Sequence, residues 1–125
     1  MQKFLLTGTG GFFGAMARLW VDTYVSSRLG TRFPFGTFVI NMTGCFAIGL
    51  MLTILNHRLN INPAWRYFLP IGFVGAYTTF SSFEFETLSY YRGGGWFIPV
   101  LYVTLSILVG LVCVWAGTMV GKLDA

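Results

Sequence analysis

Trp96-Phe-Ile-Pro-Val-Leu-Tyr-Val-Thr-Leu-Ser-Ile-Leu-Val-Gly-Leu-Val-Cys-Val-Trp-Ala-Gly-Thr-Met-Val-Gly121 contains no charged side chain. A run of this length spans about 30 Å of hydrocarbon with some tilt. Trp96 and Phe97 suit a membrane interface at its start, and Lys122 and Asp124 close it. Working backwards, residues 67–91 form a second long apolar segment between Arg66 and Arg92, and residues 35–56 an uncharged one between Arg32 and the His57-Arg58 pair. Residues 4–25 are the least apolar, because Arg18 and Asp22 interrupt them. The connections are short. The expectation is therefore a single domain over 1–125, an all-α membrane protein with four transmembrane helices at about 4–25, 35–56, 67–91 and 96–121.

Composition agrees. The chain is 55% hydrophobic and 10% charged, whereas a soluble domain carries about a quarter charged residues; its mean hydropathy is +0.70. The net charge of +4 comes from Lys and Arg that occur singly and form no basic patch, which argues against nucleic acid as a partner. Cys45 and Cys113 sit inside apolar runs without metal-ligand spacing and read as buried small hydrophobes rather than a disulfide. No nucleophile–base pair or metal-ligand cluster is visible, so an enzyme is not expected. The first segment reads as a retained helix, since Arg18 interrupts it and no small-residue cleavage pattern precedes a polar region.

Four spans put Lys3, Arg58, Arg66 and Lys122 on one side and Arg28, Arg32 and Arg92 on the other. Four against three gives the insertion machinery little instruction. A weak bias that fixes one orientation, and insertion both ways with head-to-tail pairing, are equally compatible with that count. Glycines at small-xxx-small spacing, Gly10 with Gly14 and Gly117 with Gly121, let helices approach closely in lipid. Packing within the chain accounts for them as well as an oligomer does. Four short helices leave little interior for a polar pathway, so a dimer is the preferred assembly.

Charge and broken backbone inside a membrane are costly and mark candidate sites. In Tyr67-Phe-Leu-Pro-Ile-Gly-Phe-Val-Gly-Ala-Tyr-Thr-Thr-Phe-Ser-Ser-Phe-Glu-Phe-Glu86, Pro70, Gly72 and Gly75 weaken the helix just before Thr78, Thr79, Ser81 and Ser82. An unwound stretch exposes carbonyls able to ligate a hard cation such as sodium. Phe80 and Phe83 then share a face, and ring edges, the positive part of the quadrupole, can contact an anion without gripping it; lipid contact explains such a pair equally. Asn41 follows Thr37 by four residues, and its amide would seldom stay unpaired in lipid. Tyr102 and Ser106 share a face at i, i+4 spacing. Arg18 shares one with Gly10 and Gly14, either attracting an anion or bonding carbonyls at the helix end. A hydroxyl-rich seam with no buried lysine or histidine suits a small ion better than a large organic substrate.

Three motifs resemble the CrcB/Fluc family of bacterial fluoride channels over nearly the whole chain: Gly10-Gly-Phe-Phe-Gly-Ala-Met-Ala-Arg18, Gly36-Thr-Phe-Val-Ile-Asn-Met-Thr-Gly44, and Gly72-Phe-Val-Gly-Ala-Tyr-Thr-Thr-Phe-Ser-Ser-Phe83. The resemblance implies an antiparallel dual-topology homodimer, the third helix of each subunit broken at mid-membrane, with two separate fluoride pores. It implies passive fluoride export across the bacterial plasma (inner) membrane. It also implies one structural sodium ion, not transported, held by backbone oxygens of Gly75 and Thr78 from each subunit. Phe80, Phe83, Asn41, Ser81, Thr79, Tyr102 and Ser106 would line the pore, with Arg18 and Glu86 at a pore end or vestibule. Where family members continue the hydroxyl track on the last segment, this chain has Gly110 and Val114. A small multidrug exporter is the competing reading, but it needs a membrane-buried carboxylate in the first segment, where only the near-terminal Asp22 occurs. A non-transporting subunit of a larger complex would not explain the broken third segment.

Overall fold

The computed structural model describes residues 1–123; Asp124 lies outside them. The described chain is all-helical. Helix α1 runs Gln2–Leu29, past the expected end at 25, because nothing before Gly30 breaks it. Gly30 stops it with φ 78°, a conformation that disfavours a side chain, and its N–H returns to the Ser26 carbonyl. Helix α2 (Phe35–His57) follows Pro34 and ends where Arg58 turns extended. Phe33, expected in a plain connection, is instead buried among Phe35, Phe38 and Tyr102.

The third segment is not one helix. Tyr67–Val74 is a π-helix, and the N–H of Gly75 reaches five residues back to the Pro70 carbonyl. Pro70 lacks an N–H and its ring crowds the carbonyl four residues earlier, so a wider turn carries the helix past it. A single α-turn follows, α3 (Gly75–Tyr77). Thr78 and Thr79 are then extended, with ψ 156° and 114°, and α4 (Phe80–Arg92) restarts beyond them. The weakness that Pro70, Gly72 and Gly75 suggest therefore falls later: the chain stays helical through all three and opens at the two threonines. Helix α5 (Phe97–Leu123) completes the fold.

Glycines set the packing. Helix α5 runs along α2 in the same direction, and a methyl group on Gly49 or Gly117 would overlap the carbonyl of Val114 or Phe46. Helix α1 lies against the π-helix, with Gly10 on the Phe68 carbonyl and Gly14 on the Phe73 carbonyl. Both glycine pairs noted in the sequence are thus engaged within the chain and carry no argument for a second copy. Cys45 and Cys113 are free and half-buried. Large apolar side chains face outward along α5: Leu108 is 58% exposed, Leu111 66% and Trp115 63%. Such a surface belongs in lipid rather than water, and α2 and α5 are long and apolar enough to cross a membrane.

Candidate functional site

The break between α3 and α4 is held from α2 by one side chain. Asn41 Nδ2 donates to the Thr79 carbonyl at 3.1 Å, and the Thr79 N–H donates to Asn41 Oδ1 at 2.8 Å. Both backbone groups of an extended residue that is 7% exposed are thereby paired. One turn of α2 secures the neighbours as well. The Thr43 and Tyr77 hydroxyls lie 2.9 Å apart, and the Thr78 methyl fills the space that a side chain on Gly44 would take. Thr79 Oγ1 caps α4 by accepting from the Ser82 N–H.

These pairings release two carbonyls. In an unbroken helix the N–H groups of Thr79 and Ser82 would serve the carbonyls of Gly75 and Thr78. Here they go to Asn41 Oδ1 and Thr79 Oγ1 instead. Gly75 and Thr78 line one concavity of about 310 Å³, together with Asn41, Gly44 and Phe80. Two backbone oxygens freed side by side are the donor type a hard cation takes.

On the other face of the break lies a cavity of about 450 Å³, lined by polar Arg18, Asp22, Thr37, Thr79, Ser82 and Glu86 and by apolar Ala15, Met16, Leu19 and Ile40. Glu86 is held by hydroxyls on two helices: Thr37 Oγ1 donates to Oε1 at 2.6 Å and the Tyr102 hydroxyl to Oε2 at 2.8 Å. Tyr102 is fully buried and packs edge-on against Phe83 and Phe33. Tyr102→Phe keeps that packing and removes one donor, so it is expected to lower stability by about 1–2 kcal/mol. Thermal unfolding in detergent checks this, with an unchanged midpoint counting against the Tyr102–Glu86 bond.

Of the residues expected at the site, Arg18, Thr79 and Glu86 share this cavity. Among the described residues Arg18 forms no hydrogen bond or ion pair, so its guanidinium stands free at the wall. Phe80 and Phe83 have ring centroids 5.9 Å apart, but Phe83 is buried while Phe80 is 72% exposed. Ser81 is exposed and lines neither cavity. Ser106, one turn beyond Tyr102, has a buried hydroxyl with no partner. Thr37, Ser82 and Asp22 were not expected at the site. Thr37 was signalled by its spacing to Asn41, whereas Ser82 is brought in by the break and Asp22 by the packing of α1 on Gly36 of α2.

An all-helical chain with lipid-suited surfaces, a braced backbone break and a cavity that holds several polar side chains is a membrane protein. The family described as CrcB-like protein, Camphor Resistance (CrcB), matches residues 5–118. The fluoride-specific ion channel FluC of Acidobacterium capsulatum is 51% identical over 121 residues, covering 97% of each chain. That of Solibacter usitatus is 48% identical over 97% of this chain and 99% of its own, and that of Nitratidesulfovibrio vulgaris 38% over 98% and 99%. The chain belongs to the CrcB family. Its relatives are named as an ion channel, and the expectation that this is not an enzyme stands with them.

Proposed function

We propose that the chain is the subunit of a fluoride-selective channel that lets fluoride leave the bacterial cytoplasm passively across the plasma membrane. The observation that carries this reading is the near full-length match to proteins named as fluoride-specific ion channels. The geometry supports it. Fluoride is small and strongly hydrated, so a pathway must exchange its water for donors while keeping contact weak enough for release. The hydroxyl of Ser82, which accepts from Thr79 Oγ1 and keeps its own proton, the second N–H of Asn41 and the edges of Phe80 and Phe83 are donors of that kind.

The proposed assembly is an antiparallel homodimer of four-span subunits with two pores. One chain offers the two freed carbonyls of Gly75 and Thr78 on an open surface, and a second copy facing it would double them into a sodium site. A cation there would supply positive potential that offsets part of the cost of dehydrating an anion. The exposed Phe80 would then meet the partner rather than lipid.

Efflux from liposomes holding purified protein tests the reading, with fluoride compared against chloride. Fluoride is expected to leave far faster, and equal rates would refute selectivity. Phe80→Ile, at an exposed position that leaves the fold intact, is expected to slow fluoride efflux by roughly tenfold or more. A parental rate would remove the ring edge from the mechanism.

A further inference from the structure

We propose that the end of the molecule where α2 gives way to the π-helix is a binding site for one anionic diacyl phospholipid, straddling Trp65. Trp65 is 49% exposed and stands as a ridge between two separate apolar grooves. The groove on the α1 side, about 320 Å³, has Leu6 and Phe68 for walls. The groove on the α2 side, about 390 Å³, is walled by Met51, Leu55, Ile61 and Leu69. Two grooves diverging from one interfacial indole match the two chains of a phospholipid, and Trp at this depth is the usual marker of the headgroup boundary.

Each groove has a basic residue next to one of its walls in the chain. Arg66 follows Trp65 directly, and its Nη2 donates to Oδ1 of Asn56, the neighbour of Leu55. The guanidinium is therefore tied beside a wall of the α2-side groove, and among the described residues only one of its five donors is used. Lys3 lies one turn before Leu6 on α1, with its ammonium 5.3 Å from the Tyr67 ring centre. Tyr67 is the neighbour of Phe68, so this charge lies beside a wall of the other groove. The stretch that carries Asn56, Trp65 and Arg66 holds no acidic residue, since no Asp or Glu occurs between Asp22 and Glu84. A phosphate between Lys3 and Arg66 with one acyl chain on each side of Trp65 satisfies the charge and the apolar surface together. The inference does not depend on which ion the channel carries.

Trp65 is its own reporter. Trp20, Trp96 and Trp115 are all more than 60% exposed, so changing them to Phe leaves Trp65 as the sole indole at little structural cost. Reconstituted into phosphatidylcholine vesicles, this protein is expected to be quenched by chain-brominated phosphatidylglycerol at a mole fraction about fivefold lower than by chain-brominated phosphatidylcholine. Arg66→Ala should bring that ratio close to one, Arg66→Lys should keep most of it, and Arg28→Ala, at the far end of α1, should leave it unchanged. Molar salt should shrink the preference in the parent protein without any substitution at the site. Equal quenching by the two lipids in the parent, or a preference that survives both Arg66→Ala and salt, would show ordinary lipid contact and overturn the proposal.

Discussion

Asn41→Ala is expected to stop fluoride efflux almost completely, and for a reason that precedes any contact with the ion. The change strips both partners from the Thr79 backbone, leaving a donor and an acceptor unpaired in a buried site. Each such group costs about 1–3 kcal/mol, roughly 2–6 kcal/mol for the two. The cheapest response is to rebuild the helix through Thr78 and Thr79, which returns the carbonyls of Gly75 and Thr78 to internal pairing and turns Phe80 away. Asn41→Asp keeps the acceptor for the Thr79 N–H but sets a carboxylate against its carbonyl, so a partial loss is expected. Liposome efflux and the thermal midpoint should fall together along the series Asn, Asp, Ala. An alanine variant that conducts and unfolds like the parent would mean that something other than this amide holds the break.

Gly14→Ala should be as damaging although it adds one methyl group. That carbon would overlap the Phe73 carbonyl, and a backbone oxygen inside a helix cannot rotate aside. Overpacking of this kind costs about 1–3 kcal/mol or more, and here it would part α1 from the π-helix. Gly8→Ala is the matched control: its methyl meets nothing within 4 Å, and helix propensity alone favours it by about 1 kcal/mol. The expected result is a lowered midpoint and loss of monodisperse protein for Gly14→Ala, with an equal or raised midpoint for Gly8→Ala. If the two variants match, the close approach of α1 is not what stabilises the fold.

How far these features were legible depends on range. The long apolar runs of α2 and α5 were plain, because a hydrocarbon slab imposes a length that composition alone reveals. The break was legible in kind but not in position. Pro70, Gly72 and Gly75 are the residues that local propensity flags, yet helical bonding survives them, since a widened turn absorbs the proline. The opening sits at Thr78 and Thr79 because Asn41, far away in the chain, offers the Thr79 backbone a better partner. Local rules have no access to that competition. The same limit explains Glu86, whose holders Thr37 and Tyr102 come from two other helices, and Phe33, which reads as loop until Tyr102 is packed against it. Arg18 and Asp22, by contrast, stand out as charges in an apolar segment, but that Asp22 joins the cavity depends on its packing against Gly36 of α2, which the sequence does not show.

The π-helix has a consequence for anyone reading or editing this sequence. Gly10 and Gly14, four apart on α1, meet carbonyls of residues 68 and 73, five apart on the facing segment. The segment therefore holds one supernumerary residue per turn relative to its neighbour, a phase slip built into the chain. A helical wheel drawn at 100° per residue through positions 67–77 drifts out of register with the real faces. A single-residue deletion there that gave back an ordinary helix would leave the two threonines facing as before, whereas one elsewhere in α3 or α4 would rotate everything on one side of it by about a quarter turn. An alignment gap of one residue within the π-helix would thus signal an ordinary turn with the same interior, and one just beyond it a different interior.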